Sequence, residues 1–115
     1  MQIVASAAAG EKLLAVKREH WWLFFVATVA TEIAAARHLV YHAAWLKQHD
    51  QPFSVQASMA KLYASEVAMR TTTRAVQLMG AAGYTNEYAV ERMMRDAKIC
   101  EIGEGTSEIQ RLVIA

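Results

Sequence analysis

One proline, Pro52, interrupts a sequence of 115 residues that holds five glycines. Proline and glycine are the residues that most readily stop helices, so a chain this poor in them runs for long stretches without punctuation. Alanine, leucine, methionine, glutamate, lysine and arginine fill those stretches, and all are good helix formers. No segment alternates polar and apolar residues as a half-buried strand would. The predicted fold class is all-α, an antiparallel helical bundle joined by short turns.

Glu11 to about His20 is helix-capable, and from Trp21 to His49 apolar residues recur at helical spacing (Phe25, Val29, Ile33, Ala36, Val40, Ala43). The pattern does not say whether these are one helix or two. Pro52 disfavours a helical residue before it, so Asp50 to Ser54 is the clearest break, with Ser54 as the expected cap of the next helix. That helix is expected to run from about Val55 to Met79. It is apolar on more than one face, which places it centrally. Gly80 and Gly83 end it, Thr85 or Asn86 is expected to cap a shorter helix reaching Ile102, and a last helix begins near Ser107.

The length suits one domain, residues 1–115, and is short for a complete two-substrate enzyme. A net charge of +1 and the lack of a basic cluster interleaved with aromatics argue against a nucleic-acid partner. Cys100 is the single cysteine, so no internal disulfide forms and a reducing compartment, cytoplasm or mitochondrial matrix, is expected. The apolar share of 55% is high for a small soluble domain, which implies that some apolar surface is covered by another subunit or domain. In the densest apolar stretch, Trp21 to Ala30, Glu32 follows well before the roughly 20 residues a bilayer span needs, so no transmembrane helix is expected. Ile3 to Gly10 is small and apolar but lacks the preceding positive charge of a secretory signal.

The chemistry concentrates near the C-terminus, in Ile102-Gly103-Glu104-Gly105-Thr106-Ser107-Glu108-Ile109-Gln110-Arg111. Glu104 stands between two glycines directly before a helix start, where neither neighbour has a side chain to block an approaching substrate. Ser107 followed by Gln110 reads as a capping box for the last helix. Spacing alone fits an ordinary solvated loop at least as well as a displayed catalytic base.

Three further motifs decide between these. Ala57 to Arg70 (ASMAKLYASEVAMR), Ala75 to Thr85 (AVQLMGAAGYT), Glu91 to Lys98 (ERMMRDAK) and the Glu104 run occur in an order and spacing that resemble the C-terminal helical domain of the acyl-CoA dehydrogenases, from about Ala30 onward. The resemblance implies FAD-dependent α,β-dehydrogenation of acyl-CoA thioesters. Glu104 matches the glutamate that takes the α proton while the flavin accepts the β hydride. A bound acyl chain would desolvate that carboxylate and strengthen it as a base. The resemblance also implies that Gln77 and the Gly80, Ala81, Gly83 turn approach the adenosine diphosphate half of FAD, often on a neighbouring subunit, with Thr106 and Glu108 near the same cofactor. Read without the family, that turn is a helix end and no more.

Some positions depart from the family's pattern. Ala81 replaces a usual glycine, which would be strained if its φ were positive. Ala89 stands where proline is usual, and Gly103 where many members carry tyrosine. The flavin-ring domains have no counterpart here, so FAD binding by this chain is doubtful and no turnover is expected from it alone.

Two features lie outside the quoted motifs. Trp21, Trp22, Phe24 and Phe25 form an aromatic patch suited equally to a bundle core or to an interface. His38, His42 and His49 could share a helix face and hold a metal, but a solvated face is the favoured reading and no metal is expected. The second functional reading is a helical scaffold, engineered or structural, that self-associates or binds a protein partner through the Trp21–Phe25 patch.

Overall fold

A computed structural model describes the backbone from Ala7 to Ala115 and side chains from Trp22 onward. The start of the apolar Ile3 to Gly10 segment and the side chains of Lys17, Arg18, Glu19, His20 and Trp21 lie outside the described residues. Five helices follow one another: α1 (Ala7–Gln48), α2 (Ser54–Met79), α3 (Ala81–Tyr84), α4 (Val90–Ile102) and α5 (Ser107–Ile114). Among the described residues there is no strand. The chain divides into two compact units, Met1–Thr31 and Glu32–Ala115.

α1 is one helix where the sequence left one or two open. It ends because Asp50 turns left-handed, with φ of 53°. The Gln51 N–H then donates to the Leu46 carbonyl at 3.0 Å and the Asp50 N–H to that of Lys47 at 3.3 Å, satisfying carbonyls that the helix leaves open. Aspartate tolerates this conformation better than most residues, and Pro52 prevents resumption of the helix. Ser54 is not the cap of α2. It is the first helical residue, Phe53 precedes it without a side-chain cap, and the Phe53 carbonyl accepts from Ala57 N at 2.8 Å.

Within the unit Glu32–Ala115, α2 is the central element, and α3, α4 and α5 all pack on it. Its buried positions are small: Ser58, Ala60, Ser65 and Val67. With Ala36, Ala43 and Ala97 they make an interior without one large, fully buried side chain. Small residues let helix axes approach closely but bury little apolar area each, and stabilisation scales with that area at about 25 cal/mol per Å². Leu39, Leu46 and Leu62 are half-buried, while many other large apolar side chains lie exposed, Leu112 by 73% and Ile99 by 61%. This is the uncovered apolar surface that the composition implied.

Trp22–Gln48 is long enough, and one 18-residue stretch of it apolar enough (mean hydropathy 1.5), to cross a membrane by length and composition alone. Glu32 accepts a hydrogen bond from Arg70 of α2 at 3.0 Å, which is a bundle contact. In the unit Met1–Thr31, Trp22 and Phe24 are about half exposed and Phe25 is half-buried.

Candidate active site

The loop between α4 and α5 carries the candidate base. α4 stops as the Gly103 N–H donates to the Ile99 carbonyl at 2.7 Å, and Gly103 leaves the helix in an extended conformation. Glu104 and Gly105 then both turn left-handed, with φ of 57° and 88°. A non-glycine residue in this region bears about 1–2 kcal/mol of steric strain. Glu104 and Asp50 are the two such residues among those described.

Two side chains hold the turn. The Gln110 amide, nine-tenths buried, donates to the carbonyls of Glu104 at 3.2 Å and Gly105 at 3.3 Å. Lys61 of α2 donates through Nζ to the Gly105 carbonyl. A hydrogen bond from a charged donor contributes about 1.5–3 kcal/mol, enough to offset the strain. A Cβ at Gly105 would stand 2.9 Å from the Gln110 amide nitrogen, so glycine there serves both conformation and close approach. With its carbonyl tied inward, Glu104 has an exposed side chain.

The capping box expected from Ser107 and Gln110 is absent. The cap of α5 is Thr106, whose extended backbone lets its hydroxyl accept from the Ile109 N–H at 3.4 Å. Ser107 is already helical and buried, its hydroxyl has no hydrogen-bond partner, and the Gln110 amide is committed to the loop carbonyls. Glu108 is exposed on the first turn of α5. Its own backbone N–H and then the Thr106 hydroxyl hold its carboxyl below the usual carboxylate range. A groove of about 310 Å³ beside these residues is lined by Thr106, Ser107 and Glu108, with Lys98 and Arg111, and not by Glu104.

The second set of candidates sits at the far end of α2. Gly80 follows the helix in a left-handed conformation (φ 59°), with open space around the position a Cβ would take, and Gln77 is exposed beside it. Gly83 does not end a helix: it is buried inside α3, a short helix the sequence did not disclose, where a Cβ would stand 2.7 Å from Met79 Cβ. Ala81 opens α3 without a positive φ, so its methyl group carries no such strain. Neither Thr85 nor Asn86 caps α4, which begins at Val90 behind Ala89. Lys61, which touches the Glu104 loop, and Gln77 are 16 residues apart on α2 (77 minus 61), on the order of 24 Å at 1.5 Å per residue. The Glu104 loop is therefore tied to the first half of α2 at Lys61, Thr106 and Glu108 share a groove with Glu66 near the middle of that helix, and Gln77, Gly80 and Gly83 stand at its C-terminal end.

No three of His, Cys, Asp and Glu come together as a metal site would need among the described residues. His49 stacks on Trp45 with ring centroids 4.2 Å apart, its Nδ1 lying 2.8 Å from the Trp45 carbonyl oxygen.

The profile of the acyl-CoA dehydrogenase C-terminal domain matches residues 8–115. This chain belongs to the acyl-CoA dehydrogenase family. The match to its C-terminal domain extends further toward the N-terminus than the motifs, which fade near Ala30. The chain is 60% identical over 92 residues to the probable acyl-CoA dehydrogenase YngJ of Bacillus subtilis, covering 80% of this chain and 24% of that protein. It is 56% identical over 90 residues to a mitochondrial short/branched chain specific acyl-CoA dehydrogenase of Rattus norvegicus, covering 78% and 21%. Among solved structures it resembles the butyryl-CoA dehydrogenase of Megasphaera elsdenii, with a TM-score of 0.76, 55% identity and coverage of 79% and 24%. A FAD-dependent dehydrogenase gives a TM-score of 0.79 at 30% identity, covering 86% and 27%.

The acyl-CoA dehydrogenase likeness thus spans about a quarter of the length of these relatives. Nothing in it supports the engineered-scaffold reading. The relatives occur in bacteria and in mitochondria. The family uses FAD. The turn at Gln77 and Gly80 is exposed, with open space where a Gly80 Cβ would stand.

Proposed function

We propose that this chain forms the base-bearing C-terminal domain of an acyl-CoA dehydrogenase, with Glu104 abstracting the α proton of an acyl-CoA thioester. The observation that carries the proposal is the exposed glutamate in a braced left-handed turn at the entrance of α5. Residues 30–115 form its helical unit, and segments like those of the longer relatives complete the site. Gln77 and the Gly80–Gly83 turn contact the phosphates of FAD, while Thr106 and Glu108 lie on the same side as Glu104. FAD, when bound, supplies the hydride acceptor for the β carbon. Glu104 holds the abstracted proton on its carboxyl, and the acyl chain excludes water from that carboxyl as it binds. Alone, the chain has a base without a hydride acceptor, and it associates with further copies or a partner through its apolar faces. The cytoplasm, or the matrix in a mitochondrial host, suits this chemistry and the lone Cys100.

The test is a graft in which the matching segment of this chain replaces the corresponding quarter of the Megasphaera elsdenii butyryl-CoA dehydrogenase. The graft should oxidise butyryl-CoA, and Glu104→Gln should lower kcat by about 10²–10⁴-fold, the usual contribution of a general base. A flavin-loaded graft whose Glu104→Gln variant keeps full activity would refute the assignment.

A further inference from the structure

We infer that Lys61 and Gln110 are positioning residues that aim the Glu104 carboxylate, an inference that rests on Glu104 being the base. Glutamate has no intrinsic preference for positive φ, so something outside the residue must select it. Gln110 commits its amide to both the Glu104 and Gly105 carbonyls from a nine-tenths buried position. It belongs to α5, however, and can brace the loop only against the helix the loop leads into. Lys61 lies 44 residues away on α2 and ties the Gly105 carbonyl to the central helix. Its ammonium group pairs with no carboxylate among the described residues, so that carbonyl is the partner that orients it.

The two ties have different consequences. Reversing the sign of φ at Glu104 swings its Cβ, and with it the carboxylate, away from its present direction. Losing the Gln110 tie lets the turn relax within the loop. Losing the Lys61 tie removes the charged hydrogen bond that offsets the strain of the turn and also frees the loop from α2. In both cases the base is misplaced while the Gln77 and Gly80 turn, at the other end of α2, is undisturbed. Misplacement by about 1 Å lowers a rate on the order of 10²-fold.

The butyryl-CoA dehydrogenase graft provides the kinetic test. Lys61→Met is expected to lower kcat about 10- to 100-fold with KM and flavin absorbance unchanged, and Lys61→Arg, which keeps a charged donor, should restore part of the rate. Unchanged kcat in Lys61→Met, alongside a dead Glu104→Gln, would overturn the inference and spare the assignment of the base. An active Glu104→Gln would remove that assignment itself. In the 115-residue chain, NMR supplies the arm that does not depend on the graft folding. A coupling across the hydrogen bond from Lys61 Nζ to the Gly105 carbonyl carbon is expected, with Glu104 carbon shifts of a left-handed residue that change in Lys61→Met or Gln110→Leu. Absence of the coupling, or shifts unmoved by both substitutions, would overturn it.

Discussion

Arg111 of α5 donates to the carboxylate of Glu66 on α2, and the same carboxylate lies 3.8 Å from Arg70, which pairs with Glu32 of α1. Three helices of the unit Glu32–Ala115 thus share one chain of charge. Both arginines are about half exposed, so each pair contributes about 0–1 kcal/mol. Arg111→Ala should therefore lower unfolding stability by at most about 1 kcal/mol, and 1 M salt should erase most of the difference. Urea titrations of both proteins at low and high salt check this.

Substituting alanine into the turn after α2 should separate conformational strain from steric clash. At Gly80 there is room but φ is 59°, and alanine should cost about 1–2 kcal/mol. At Gly83 the new methyl would stand 2.7 Å from Met79 Cβ and 2.9 Å from the Val76 carbonyl oxygen, so backbone must move. The expected cost is about 1–3 kcal/mol, with structural displacement as well. Chemical shifts of Val76 and Met79 should change in Gly83→Ala and stay in place in Gly80→Ala.

Acid should weaken the entrance of α5 through Glu108. Its carboxyl is held below the usual carboxylate range, by its own backbone N–H first and the Thr106 hydroxyl second. A depressed carboxyl stabilises the fold fully above its unfolded value and loses that contribution as pH falls through the folded value. Stability should decline below about pH 4.5, and Glu108→Gln should flatten that limb while leaving neutral stability slightly reduced. Helicity followed by circular dichroism between pH 6 and 2, for both proteins, gives the answer; parallel curves would contradict it.

The purified chain, supplied with FAD and butyryl-CoA, should show no flavin bleaching and no product. Turnover by the chain alone would mean that the hydride acceptor can be held by these residues without further domains.

Ile99→Lys together with Leu112→Lys should reduce self-association of the chain without unfolding it. Both side chains are more than half exposed, so removing them subtracts little from the interior. Sedimentation before and after the substitutions measures the effect.

The helices, the break at Asp50–Pro52 and the loop bearing Glu104 were legible because each rests on local chemistry. The caps were not, because Thr106 and Ser107 are both capping residues and the choice falls to tertiary contacts. Ser107 goes to the interior, and the Gln110 amide serves loop carbonyls instead of the helix end. A four-residue helix such as α3 is too short to show a period. Lys61 carried no signal at all, since its bond to Gly105 spans 44 residues. Nor does any local preference announce that a glutamate will turn left-handed.

The alanine-lined interior at Ala36, Ala43, Ala60 and Ala97 bears on how sequence change will be tolerated. A bundle that leaves many of its bulky side chains exposed blurs the usual meanings of inside and outside. If larger neighbours seat against Leu112 and Ile99, those positions will resist polar replacement as firmly as any buried leucine, although nothing in the isolated segment would warn of it.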